Sequence, residues 1–328
     1  MSPRVLILAN VGQAPYSNNL LPPVRAFERA AEVRLVEPRL MPGFASTGGA
    51  TPAEVPYDPV VEAVAGFAPD MVVCLAGGTF LAPATRRLLP AAAVTVGIAL
   101  SDPLGLAASL AIAPQFDLFY TQDPASLPAY EHAGIAVRRC DLAVDLEMFA
   151  PAAVETDCDV VFYGKRTPYR EDVLERLAAE LSVRVHGYAW DSGWRVPTGP
   201  QLDTPETLAA GICRARVALE LAVMDDAPPP YEGRWRITPR PFIAAACGVP
   251  SLVEASPTLS EFFAPGDEIA TFGAPDDAAA AALALLGDER RRLEMGRAAR
   301  RRAAACHTWD QRVAAVLADA DRVRRRRG

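Results

Sequence analysis

One lysine stands in this chain of 328 residues, Lys165, directly after Gly164 at the end of the apolar run VVFY; the other 32 basic residues are arginine. A strand that ends in glycine and leads through a turn into a helix lets backbone amides and the positive helix end approach an anion. Lys165, Arg166 and Arg170 would reinforce that anion hole. Arginine grips phosphate oxygens as a fork and lysine acts as a compact point charge, so the cluster fits a diphosphate. Codon pressure in a GC-rich genome accounts for the missing lysines, and chance survival is the alternative account of the one that remains.

Further along, VHGYAW places His186, Gly187, Tyr188 and Trp190 at a strand end. Gly187 would admit a nucleotide to the backbone and an aromatic ring could pack on its base; core packing is the other reading. In the first half, NVGQAPYSNN and AGGTF follow two strands and offer Gly12, Tyr16, Asn18, Asn19, Gly78 and Thr79 as sugar- or polyol-binding groups. Asp102, before Pro103, is either a strand-ending Asp-Pro turn or a general base for an acceptor hydroxyl. His132 at a helix end and His307 at a helix break read as satisfied surface residues. Asp225 and Asp226 read as a solvated pair, with no metal expected. The six cysteines show no CxxC pair, so neither a zinc site nor a disulfide framework is indicated.

These residues need a frame. Short apolar runs, RVLILAN, EVRLVEP, DMVVCLAGG, AVTVGIAL and FDLFYT, alternate with helix-like segments, and a second series, CDVVFYG, VRVHGYAW, ARVALELAV, VPSLVEA and EIATFG, begins near residue 157. Near-continuous apolar strands separated by helices predict parallel sheets covered on both faces. The expected fold class is α/β, with two Rossmann-like doubly wound domains facing a cleft: residues 1–153, residues 154–306, and a crossover helix over 307–328 whose apolar stripe Val313, Val316 and Leu317 packs on the first domain. The basic C-terminus RVRRRRG reads as a solvated helix end. A net charge of -7 argues against nucleic-acid binding, and no run reaches the length of a membrane span, so a cytoplasmic protein is expected.

The segment RITPRPFIAAACGVPSLVEASPTLSEFFAPGDEIATF resembles the donor half of GT-B glycosyltransferases, most closely the CgeB-like (spore-maturation-protein-like) group. Arg240, Phe242, Ala246, Cys247, Gly248, Glu261, Phe263, Pro265, Gly266 and Glu268 carry the likeness, and LSDP with FDLFYTQDPASLPAYEHAG extends it into the first half. The resemblance implies a nucleotide-sugar donor held by Gly164, Lys165, Arg166, Arg170, His186, Gly187, Tyr188, Arg240, Phe242, Gly248 and Glu261. Lys165 and Arg170 would be the basic pair that stabilises the leaving diphosphate, and chemistry would be metal-independent with no cofactor. The sugar would pass to a hydroxyl of a small molecule, from a UDP-, GDP-, ADP- or dTDP-sugar. One departure is Ile243, where the family carries the glutamate that binds ribose; Trp235 and Ile243 occupy the spacing of the Glu-x7-Glu pattern. A non-catalytic ligand-binding protein and a GT-B sugar-nucleotide epimerase are the competing readings.

Overall fold

The computed structural model describes residues 2–9, 11, 17–37, 58–75, 86–190, 194–224 and 236–327. The chain divides into two compact units, residues 1–142 with 309–328, and residues 143–308.

In the first unit, β1 (Arg4–Leu8), β2 (Glu32–Val36), β3 (Met71–Leu75), β4 (Val94–Ala99), β5 (Leu118–Thr121) and the two-residue β6 (Arg138–Arg139) form a parallel sheet in the order β2-β1-β3-β4-β5-β6. β3 and β4 are buried along their whole length, which is why their sequences read as unbroken apolar runs. Helices α1 (Ser17–Ala30), α2 (Asp58–Phe67), α3 (Leu106–Ile112) and α4 (Leu127–His132) connect the strands. The C-terminal helix, Trp309–Arg325, is numbered α10 in chain order. It packs against α1 and buries Val313 and Val316, as its apolar spacing predicts. Polar contacts hold it as well: Tyr120 donates to Asp319 at 2.7 Å, and Arg29 pairs with Asp310 at 2.9 Å. The basic tail is not a merely solvated end, because Arg327 reaches Asp117 at 2.6 Å and the Ala93 carbonyl at 2.9 Å.

In the second unit, β7 (Cys158–Tyr163), β8 (Val183–His186), β9 (Ala215–Glu220), β10 (Ser251–Glu254) and β11 (Ala270–Phe272) are parallel in the order β11-β10-β9-β7-β8. Helix α5 (Pro168–Ala178) starts where Thr167 caps it and Pro168 takes the first position. Helix α6 (Pro205–Cys213) starts in a capping box between Thr204 and Thr207. Helix α7 (Arg240–Cys247) is buried at all eight positions and stops at Gly248, whose φ of 74° is the left-handed turn glycine adopts freely. Helices α8 (Ala278–Gly287) and α9 (Glu289–Cys306) complete the unit, and the break before α10 falls at His307. His307 is buried, not surface-exposed: Nε2–H donates to the Phe262 carbonyl at 2.9 Å among the rings of Phe242, Phe262 and Phe263.

Candidate active site at the end of the second sheet

In the second sheet the strand order reverses between β7 and β9, since β7 leads to β8 on one side and β9 leads to β10 on the other. Ligands of open parallel sheets sit beyond the carboxyl ends of the strands at such a switch point. Gly164 is the first residue after β7 and Glu220 the last of β9, so the residues with chemistry converge there.

The turn after β7 is braced against the turn after β8. Gly164 N–H donates to the His186 carbonyl at 2.8 Å, Arg166 N–H to the Tyr188 carbonyl at 3.2 Å, and Trp190 Nε1–H to the Gly164 carbonyl at 2.9 Å. The approach is so close that a Cβ on Gly187 would lie 2.1 Å from the Gly164 oxygen, and Gly187 has a φ of 133°. Ala189 in the same turn holds a φ of 66°, a strained value for a residue with a Cβ. Among the backbone amides of this turn, those of Gly164 and Arg166 are turned to carbonyls of the neighbouring turn. Arg170 N–H, at the start of α5, is likewise taken by Thr167 Oγ1 at 3.4 Å.

The cations differ in their surroundings. Lys165 is exposed at the turn, and Arg170 is buried beneath it, with Nη1 donating to the Lys165 carbonyl at 2.9 Å. Arg166 forks onto Glu171 at 2.7 and 3.1 Å. Arg240 forks onto Glu220, with one contact at 3.0 Å, and also donates to the Tyr163 carbonyl at 3.1 Å and the Leu221 carbonyl at 3.2 Å. Arg240 thus ties the end of β7 to the end of β9. Its expected role as a phosphate ligand gives way to that of a buried brace.

Two carboxylates here escaped the sequence reading. Glu220 is buried at the end of an apolar strand and also accepts from Thr238 at 2.9 Å. Glu254, at the end of β10, accepts from Tyr169 Oη and from the amides of Ala222 and Val223 at 3.2 and 3.3 Å. Burial raises the Glu254 pKa, and the Tyr169 hydrogen bond opposes that shift. A carboxylate inside a buried strand is the signal that marks both, because such residues are rarely buried without partners.

His186 faces the core. Its Nδ1 lies 2.8 Å from the Pro200 carbonyl, which only accepts, so Nδ1 carries hydrogen, and its ring lies where a Cβ on Gly199 would go. Burial lowers its pKa below the ordinary value. The unfolded chain then binds the proton more readily, so stability is complete above a pH of about 6.5 and falls as pH drops toward the folded pKa. Urea midpoints should decrease from pH 7.5 to about pH 5, and His186→Gln should flatten that part of the profile.

Other expected donor residues are corrected or lie apart. Phe242 has no exposed surface and packs in the aromatic core with Phe262 and Phe263. Gly248 sits at the opposite end of α7 from Arg240. Glu261 is exposed in a short 3-10 turn after β10, and Tyr188 is 46% exposed beside Gly187. Ile243 is 2% exposed within α7. In the first unit, Asn19 is exposed on α1, whereas Gly12, Tyr16, Gly78, Thr79, Asp225, Asp226 and the side chain of Asn18 lie outside the described residues.

Asp102 is 2% exposed. Its oxygens accept from Ser109 at 2.8 Å and from Thr121 and Tyr130 at 2.7 Å each. Burial raises its pKa against the pull of these hydroxyls. The general-base reading is corrected in favour of the strand-end turn, because a base must reach the proton it removes. Asp102→Asn should leave any turnover within a few-fold and lower stability by about 1–3 kcal/mol, read from turnover assays and denaturant midpoints.

Among the described residues, no group of three or more His, Cys, Asp or Glu is placed to hold a metal ion, and no helix is long and apolar enough to cross a membrane.

A family profile described as glycosyl transferase-like matches residues 166–318, beginning one residue after Lys165. No curated protein matches the chain. Among solved structures, sucrose-phosphate synthase from Thermosynechococcus elongatus is similar with a TM-score of 0.64 at 16% identity, over 98% of this chain and 99% of that one. Anabaena HepE in complex with UDP and glucose gives 0.63 at 13% identity, over 97% and 100%. AviGT4, a glycosyltransferase involved in avilamycin A biosynthesis, gives 0.63 at 14% identity, over 98% of each chain. The fold is GT-B, two parallel-sheet α/β domains, as the strand pattern and the resemblance led one to expect.

Proposed function

We propose that the protein is a metal-independent, CgeB-like glycosyltransferase of the cytoplasm that moves a sugar from a nucleoside diphosphate sugar to a hydroxyl of a small molecule. The observation that carries this reading is Lys165 on a doubly braced turn at the switch point of the second sheet, with Arg170 buried beneath it. The solved complexes of HepE with UDP and with UDP-glucose support a nucleotide-sugar donor, and the description of AviGT4 supports a small acceptor.

In the reaction the bond between the anomeric carbon and the diphosphate oxygen breaks, and the acceptor oxygen forms the new bond while losing its proton. Charge grows on the departing diphosphate. A fixed ammonium at that position stabilises the charge as it develops and needs no rearrangement at the moment of transfer. Arg170 holds the Lys165 main chain, while Arg240 and Glu220 hold the strand ends beneath.

The buried Ile243 favours one second reading, a protein that binds its ligand without chemistry, because the ribose loses a carboxylate partner. Incubation with UDP-, GDP-, ADP- and dTDP-sugars and a panel of hydroxyl acceptors separates the two. Release of nucleoside diphosphate that depends on acceptor is the expected result. Saturable thermal shifts without product from any pair would overturn the enzyme assignment.

A further inference from the structure

The sequence shows no CxxC pair, yet the fold brings two of the six cysteines together. Cys213 is the last residue of α6 and Cys247 the last residue of α7, and these helices pack on each other. As a thiol, Cys213 donates to the Cys247 carbonyl at 3.9 Å, and its sulfur accepts from the Ala152 amide at 3.3 Å. Cys213 Sγ thus lies against the Cys247 main chain, and Arg300 donates to the carbonyl of the preceding residue, Ala246. Cys213 is partly exposed, whereas Cys247 is 3% exposed.

The Ala152 amide N–H aimed at Sγ favours negative charge on Cys213, the more accessible of the two sulfurs. The hydrogen bond from Cys247 comes first among the causes that hold the Cys213 pKa below the ordinary thiol value, while burial opposes it. The same contact and burial push Cys247 up. A partly exposed thiolate beside a buried thiol is the arrangement of an attacking and a resolving cysteine.

We propose that Cys213 and Cys247 form a redox-active pair that hydrogen peroxide oxidises reversibly to a disulfide. The Cys213 thiolate attacks the peroxide O–O bond, giving a sulfenic acid and hydroxide, which takes up a proton to leave as water. The Cys247 sulfur then attacks Cys213 Sγ, its proton leaves with the sulfenic oxygen as a second water, and the S–S bond closes. Two thiols lose two protons and two electrons, and one hydrogen peroxide takes them up to become two waters. A dithiol reductant returns the pair to its starting state. Cys306 is exposed at the end of α9, while burial pushes the Cys140 and Cys158 thiols up to about 12.

The test treats the full chain with hydrogen peroxide near neutral pH, then blocks free thiols and maps peptides by mass. The expected result is one cross-linked peptide pair joining Cys213 to Cys247, lighter by two hydrogens and restored by dithiothreitol. Cys247→Ser should leave Cys213 as a trappable sulfenic acid, and Cys213→Ser should abolish both products while Cys306 still reacts slowly. Circular dichroism of both serine variants separates loss of the pair from loss of the fold, and Cys213→Ala is the second variant should serine disturb packing. Oxidation of Cys306 ahead of Cys213, or a Cys213 that goes directly to sulfinate in the unaltered chain, would overturn the proposal. Nothing in it rests on the transferase reading.

Discussion

Replacing Arg240 with alanine is expected to lower stability by about 3–5 kcal/mol, the cost of leaving one half of a buried ion pair behind. Glu220 would remain almost fully buried, with Thr238 as its side-chain donor, and the carbonyls of Tyr163 and Leu221 would each lose a partner. A chevron or urea melt measures the loss directly. The paired change Arg240→Met with Glu220→Leu distinguishes a charge effect from a bracing effect. Apolar pairs often replace buried ion pairs without loss. Here the two carbonyls would still lack donors, so the double variant should recover only part of the stability. Full recovery would show that Arg240 does no more than neutralise Glu220. Because the same guanidinium joins the ends of β7 and β9, the single variant should also weaken nucleotide binding when measured below its melting range.

Gly187→Ala should be nearly as damaging, for a steric reason. The added methyl would meet the Gly164 carbonyl oxygen at 2.1 Å and its carbon at 2.8 Å, atoms of backbone that the Trp190 indole and the His186 carbonyl already pin. A φ of 133° adds the strain of a region reserved for glycine, about 1–3 kcal/mol, and forcing the contact apart adds roughly 1–3 kcal/mol more. The turn that carries Lys165 would move with Gly164. Loss of nucleotide binding in molecules still folded by circular dichroism is the expected signature; a variant with wild-type melting and binding would mean that the two turns are not coupled.

Much of this architecture was legible in the residue pattern, because buried parallel strands leave unbroken apolar runs such as VTVGIA. The position of Lys165 was legible for the same local reason: a glycine closing an apolar strand fixes where a turn must lie. What local pattern does not reveal is which partner a polar group will meet. Arg240 reads as a ligand until Glu220, twenty residues earlier, is seen beside it in the folded chain. Asp102 reads equally as a turn residue or as a base until Ser109, Thr121 and Tyr130 converge on it. Phe242 belongs to a helix, RPFIAAAC, with no polar face, a pattern that itself signals burial all round. The acceptors of the Gly164 and Arg166 amides lie on β8 and its turn, outside any local window.

The central claim is that the Lys165 ammonium meets the diphosphate of a nucleotide. Titration calorimetry of nucleoside diphosphate into the unaltered protein and into Lys165→Ala, at two salt concentrations, tests it most directly. A charge-assisted contact contributes about 1.5–3 kcal/mol, so the variant should bind roughly 10- to 150-fold more weakly, with a smaller dependence on salt and an unchanged melting temperature. Equal affinity for the two proteins, at either salt concentration, would contradict the account.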